Sequence, residues 1–156
     1  NISILGFWGS DVINKKTEAL NLNQKIYKRF FEFNDFQFVI VLSKGQEIEA
    51  ESLKKKLKEG VGTNLIKWKF IFGNSEEINN LFNSLNTPFK LSNSDSTPIV
   101  FIIDKEKNLR GRDDDDQGIL FGFNAQSVAE INNKMVDDVK VILAEYRRAL
   151  KKYNRP

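Results

Sequence analysis

A chain of 156 residues is long enough to bury roughly 70% of the surface its unfolded form exposes, so one domain with a full core is expected. It contains no cysteine and no histidine. That excludes disulfides, thiol nucleophiles, imidazole acid–base chemistry, Ser-His-Asp triads and Cys or His metal sites. A net charge of +3 does not indicate nucleic-acid binding, and no apolar run approaches the roughly 20 residues of a membrane span.

The absence of thiols leaves the redox compartment open. The sequence opens at Asn1, already inside a strand-like segment. An upstream segment is therefore expected, and a signal peptide or lipid anchor would belong to it. Ile2–Trp8 reads as a buried strand broken by Gly9-Ser10-Asp11. Leu20, Tyr27, Phe30 and Phe31 then recur at helical spacing, predicting a helix over about Lys15–Phe33. Phe36–Leu42 is a second, central strand. Ala50, Leu53 and Leu57 mark an amphipathic helix over about Glu47–Glu59, closed by Gly60 and Gly62. Leu65–Phe72 alternates, with Lys67 and Lys69 on one face, as a strand nearer an edge would. Ser75 is a candidate N-cap for a helix whose face is Ile78, Leu81, Phe82 and Leu85.

The stretch that organises the rest is Asp95–Gly111, DSTPIVFIIDKEKNLRG. Pro98–Ile103 is an unbroken apolar run, suited to a strand covered on both faces. Pro98 lacks an N–H and so must stand at the strand's start. A hairpin through Lys105–Asn108 leads to a strand near Leu109–Arg112, which Ile119–Phe123 resumes after the loop Asp113–Gly118. The last helix opens on a capping box, Ser127 with Glu130, and carries the stripe Val128, Ile131, Met135, Val139, Ile142, Tyr146 and Leu150. The order β-α-β-α-β-α-β-β-α gives parallel pairs followed by an antiparallel hairpin. That is the thioredoxin-like pattern: an α/β three-layer fold, a mixed central sheet with helices on both faces. Thr97-Pro98 stands where such folds carry a cis-proline, and sequence leaves its isomer open.

Three stretches together resemble the Sco/SenC family of thioredoxin-like copper proteins. They are Trp68–Leu81 (WKFIFGNSEEINNL), Thr97–Gly111 (TPIVFIIDKEKNLRG) and Gly6–Ser10 (GFWGS). The resemblance covers most of the chain, although peroxiredoxin-like and other thioredoxin-fold families share parts of it. It implies an extracytoplasmic protein on the periplasmic side, open to anchoring and tied to respiratory-oxidase assembly. Family members hold copper through two cysteines and a histidine. In this chain Ser10 and Asn14 fall at the cysteine positions and Ser96 near the histidine, so neither copper binding nor thiol exchange is expected.

Ser10, Asp11, Asn14, Ser96, Thr97 and Pro98 are expected to converge at the pole where such folds keep their active centre. They form either a binding patch or a capped helix start beside a turn. Asp113, Asp114, Asp115 and Asp116 offer oxygen ligands to Ca²⁺ or Mg²⁺, but their spacing fits no EF-hand loop, and a solvated hairpin tip explains them as well. Arg147, Arg148, Lys151, Lys152 and Arg155 suit an acidic partner or a membrane surface, or simply the negative end of the last helix dipole. Trp8, if exposed, is a partner anchor; otherwise it fills the gap beside a loop.

The function these readings favour is a non-catalytic module that binds a protein partner and carries no cofactor. The alternatives are a small-molecule or cation-binding module, and an enzyme using hydroxyl and carboxylate groups at the vacated pole. A deep pocket with inward carboxylates would favour an alternative; a flat, apolar-rimmed pole would favour the first. The partner's identity and the oligomeric state are not legible in the sequence.

Overall fold

The computed structural model describes residues 1–61, 64–112 and 121–153. Strand β1 (Ile2–Gly9) occupies the middle of a six-stranded sheet. β2 (Phe36–Ser43) pairs with it in parallel, and β3 (Trp68–Gly73) pairs in parallel with β2. On the other side β4 (Ile99–Ile103) runs antiparallel to β1. β5 (Leu109–Arg110) and β6 (Phe123–Asn124) both run antiparallel to β4. The path is β3-β2-β1-β4-β5, so Phe36–Leu42 and Pro98–Ile103, the strands expected to be central, are both internal, and Ile2–Trp8 lies between them.

The helices cover both faces. On one face lie α1 (Lys16–Leu22) with α2 (Lys28–Phe30), α3 (Glu47–Val61), and α5 (Val128–Glu130) with α6 (Val136–Tyr153). They bury Leu22, Tyr27, Leu53, Leu57, Val139 and Ile142 against Ile4, Trp8, Phe38, Ile40, Trp68 and Val100. On the other face α4 (Ser75–Ser84) seats Ile78 and Phe82 on Leu5, Phe7, Val41 and Phe101. Among the described residues no helix is long and apolar enough to cross a membrane.

Several boundaries differ from the sequence reading. The first helix runs Lys16–Phe30 rather than to Phe33, and its middle turn, Asn23–Tyr27, is π-helical. The buried residues Ala19, Leu22, Asn23, Ile26, Tyr27 and Phe30 nevertheless keep the i, i+3, i+4, i+7, i+8 spacing of one helical face through that turn. Asn23 is held there by an N–H from the Trp68 indole at 3.3 Å and by its own bond to the Leu57 carbonyl at 3.4 Å. The N-cap of α4 is Asn74, one residue before Ser75: its side chain accepts from Glu77 N at 2.8 Å while Glu77 Oε1 accepts from Asn74 N at 3.0 Å. β3 begins at Trp68, after a turn in which Trp68 N donates to the Leu65 carbonyl at 3.0 Å, and the Lys67 ammonium donates to the carbonyls of Phe31 and Phe33 just past α2. Of the Ser127–Glu130 box only half forms. Ser127 Oγ accepts from Glu130 N at 3.1 Å, whereas the Glu130 carboxylate turns to Asn124 N. Asp113–Asp116, Ile119 and Gly62 lie outside the described residues.

Candidate functional site

β1 ends in a bulge: its register on β2 steps from Phe7 to Gly9, leaving Trp8 unpaired with that strand. Trp8 then points into the core. It is 1% exposed, with ring centres 6.1 Å from Trp68 and 6.3 Å from Phe70. Trp8 is therefore core packing and not an exposed anchor.

Beyond Trp8 the chain turns sharply. Gly9 sits at φ +52°, and a short 3₁₀ turn, Val12–Asn14, leads into α1. The loop before β4 closes over this turn. Thr97 N donates to the Phe7 carbonyl at 2.9 Å, and Ser10 N donates to the Ser94 carbonyl at 2.9 Å. Ser10, Asp11, Asn14, Ser96, Thr97 and Pro98 thus come together at one pole of the sheet. No cis peptide bond occurs among the described residues, so Thr97–Pro98 is trans. Pro98 directly precedes β4, and its carbonyl accepts from Ala125 N at 2.9 Å.

The pole's polar groups are bonded to one another. Asn14 Nδ2 donates to Asp11 Oδ1 at 2.6 Å, and Asp11 makes no side-chain cap bond to the helical turn. The capping role open to Ser10 or Asp11 is therefore not taken, since the Ser10 hydroxyl lies 3.4 Å from the Ser94 carbonyl. Ser92, Ser94 and Ser96 form a closed triangle of hydroxyls, with edges of 2.9, 3.0 and 3.0 Å. Ser96 and Thr97 are each 5% exposed. Of these three serines only Ser96 is a candidate from the sequence. The alternation S-N-S-D-S over Ser92–Ser96 was the available signal, because a tight turn gathers residues two apart.

Two further features were not read from the sequence. Lys15 and Glu18, spaced i and i+3, form an ion pair of 3.2 Å beneath the pole, at 5% and 2% exposure. Gln126 donates to the same Glu18 oxygen at 3.2 Å. Burial pushes the Glu18 carboxyl above its ordinary range, against the pull of Lys15 and of Gln126. The second feature is a groove of about 270 Å³ beside the pole, lined by Val12, Ile13, Lys16, Ile48, Glu49 and Leu53 among others. Ile13 and Ile48 stand 80% and 82% exposed, off the apolar stripes that sequence periodicity picks out. Glu49 carries one carboxylate oxygen, Oε2, that is buried without a hydrogen-bond partner among the described residues.

The remaining candidates have local partners or lie out of view. Arg147 lies over the Phe33 ring at 4.7 Å, and Arg148 is exposed on α6. Lys151 and Lys152 also fall on α6, while Arg155 lies outside the described residues. No group of three or more Asp or Glu that could hold a metal occurs among the described residues. The donor set at the pole does not fit copper of the kind the sequence resemblance implies. Ser10, Asn14 and Ser96 offer neutral oxygen and amide groups already committed to neighbouring partners, where copper favours thiolate and imidazole.

No protein-family model and no curated protein matches the chain. Among solved structures, a thiol:disulfide interchange protein of the thioredoxin family from Chlorobium tepidum TLS is similar at TM-score 0.50 and 17% identity, over 92% of this chain and 80% of that one. The N-terminal domain of PilB from Neisseria gonorrhoeae is similar at TM-score 0.35 and 16% identity, over 85% of this chain and 76% of that one. With the mixed sheet and two helical faces, the first likeness establishes a thioredoxin-like fold for this cysteine-free chain.

Proposed function

We propose that this is a Sco-like thioredoxin-fold module that has given up copper and thiol chemistry and binds a protein partner beside the vacated pole. The Sco-like assignment rests on the Trp68–Leu81, Thr97–Gly111 and Gly6–Ser10 resemblances, and an extracytoplasmic role in oxidase assembly rests on the same footing. The observation that carries the binding role is the groove between the Val12–Asn14 turn and α3. Two nearly bare isoleucines, Ile13 and Ile48, flank it, and leaving them in water is unfavourable unless something covers them. About 270 Å³ is small for a metabolite pocket, which more often spans roughly 300–1,000 Å³, but it accommodates an anchoring side chain. Lys16 and Lys56 on the rim favour a segment with acidic residues beside an apolar anchor. The unpartnered Glu49 Oε2 offers an acceptor for one of that segment's N–H groups.

A catalytic role has less support. The hydroxyls of Ser10 and Ser96 bond to a carbonyl and to other hydroxyls, and among the described residues no carboxylate or amine is bonded to either as an activating base. Photo-crosslinking in the source cell from position 16 or 52, which line the two sides of the groove, tests the binding role. One partner should be captured from both positions and lost in the Ile13→Asp/Ile48→Asp variant, with thermal stability unchanged. Capture that does not depend on the two isoleucines would overturn it.

A further inference from the structure

β3 forms one end of the sheet. Lys67 O accepts from Phe38 N and Gly73 O accepts from Lys44 N, so its odd-numbered residues turn their backbone groups toward β2. The N–H and C=O groups of Phe70 and Phe72 therefore point outward, where no other described segment pairs with them. The usual protections of an edge are scarce. The strand has no proline and no bulge, and it exposes Ile71 at 44% and Phe72 at 37%. Lys69 is its one charge.

We propose that this edge pairs antiparallel with the same edge of a second copy, about a two-fold axis at Ile71. Because outward backbone groups alternate, that axis sets Phe70 opposite Phe72 of the second copy, and the reverse, each pair exchanging N–H···O bonds. Ile71 meets Ile71 at the non-hydrogen-bonded site, with Cβ atoms about 4.5–5.5 Å apart. Lys69 falls opposite Gly73, which has no side chain to block it. Behind Gly73 stands Glu77, whose Oε1 lies 3.7 Å from where a Cβ on Gly73 would be. Lys69 of each copy thus reaches the Glu77 carboxylate of the other, and symmetry makes the pair twice. An axis at Lys69 would oppose two ammonium groups, and one at Phe70 would set Lys69 against Ile71. The Ile71 axis joins apolar to apolar and cation to carboxylate, the self-complementarity a two-fold interface needs.

Sedimentation equilibrium of the full chain tests this directly. A concentration-dependent dimer is expected, and Ile71→Asp, which opposes two carboxylates on the axis, should weaken it by about tenfold or more. Because the chain has no cysteine, Ile71→Cys gives a single-thiol protein whose partner thiol would lie within disulfide reach. Mild oxidation should link Ile71→Cys chains about tenfold faster than Val141→Cys chains, position 141 being an exposed control on α6. A monomer at all concentrations, a dimer indifferent to Ile71→Asp in a variant that remains folded, or equal linking rates at the two positions would overturn the proposal.

Discussion

Gly9 lies against the Ser94 carbonyl so closely that a Cβ built on it would stand 2.0 Å from that oxygen and 2.5 Å from the Asp95 carbonyl. The obstruction is backbone, which cannot swing aside as a side chain would. Gly9 also holds φ +52°, a region that L residues rarely enter. Gly9→Ala is therefore expected to pry the serine loop from the end of β1 and to cost about 2 kcal/mol or more. Urea denaturation measures this. Gly45→Ala is the control: it also has positive φ, +100°, but nothing lies within 4 Å of its Cβ position. The Gly9 variant should lose clearly more stability than the Gly45 variant.

The buried Lys15–Glu18 pair leads to a second expectation. Removing one partner leaves the other charge buried, so Lys15→Met is expected to cost about 3–5 kcal/mol near neutral pH, while Lys15→Met/Glu18→Leu should recover most of the loss. The pH dependence has a definite sign. Glu18 titrates above its ordinary range when folded, so the folded state holds that proton more tightly than the unfolded one. The stability from this group is full below the ordinary carboxylate range and is lost as pH rises through the raised folded value. Chemical denaturation of wild type and Glu18→Gln across the acid range should show the wild type losing stability relative to the variant as pH rises.

Trp8 is expected to behave as a core residue. Trp8→Ala should cost about 3–5 kcal/mol through the cavity left beside Trp68 and Phe70. Trp8→Phe should fold and, at a temperature where it is stable, bind any partner that the wild type binds. Loss of binding by a fully folded Trp8→Phe would show that Trp8 contributes directly.

The cap of α4 offers a local test of a boundary the sequence misplaced by one residue. Asn74→Ala removes the acceptor for Glu77 N and should cost about 1 kcal/mol, whereas Ser75→Ala should cost less because Ser75 is the first helical residue and not the cap. Thermal unfolding of the two variants ranks them.

The sheet was legible because its strands are apolar in runs that local forces already favour. Pro98–Ile103 and Phe36–Leu42 could be placed inside the sheet from composition alone, and Asp104 ends β4 as expected. It accepts from Glu106 N at 3.0 Å and Asn108 N at 2.9 Å to close the hairpin. The pole was legible for the same reason: Gly9 and Pro98 mark where two strands begin and end. Long-range partners were not. Lys67 looked like a solvated strand residue until the fold brought the end of α2 beside it. Ile13 and Ile48, 35 positions apart in sequence, form one groove only after α1 and α3 pack. Trp8 could be read as exposed or buried because a one-residue bulge leaves no mark on composition.

Copper binding tests most directly the proposal of a Sco-like pole without metal ligands. Titration with Cu(I) against a competing chromophoric chelator should show no stoichiometric binding by the chain as it stands. The Ser10→Cys/Asn14→Cys/Ser96→His variant, which restores thiolate and imidazole donors at the pole, should take up about one equivalent. One tightly held copper on the unaltered chain would contradict the account, as would a folded restored variant that binds none.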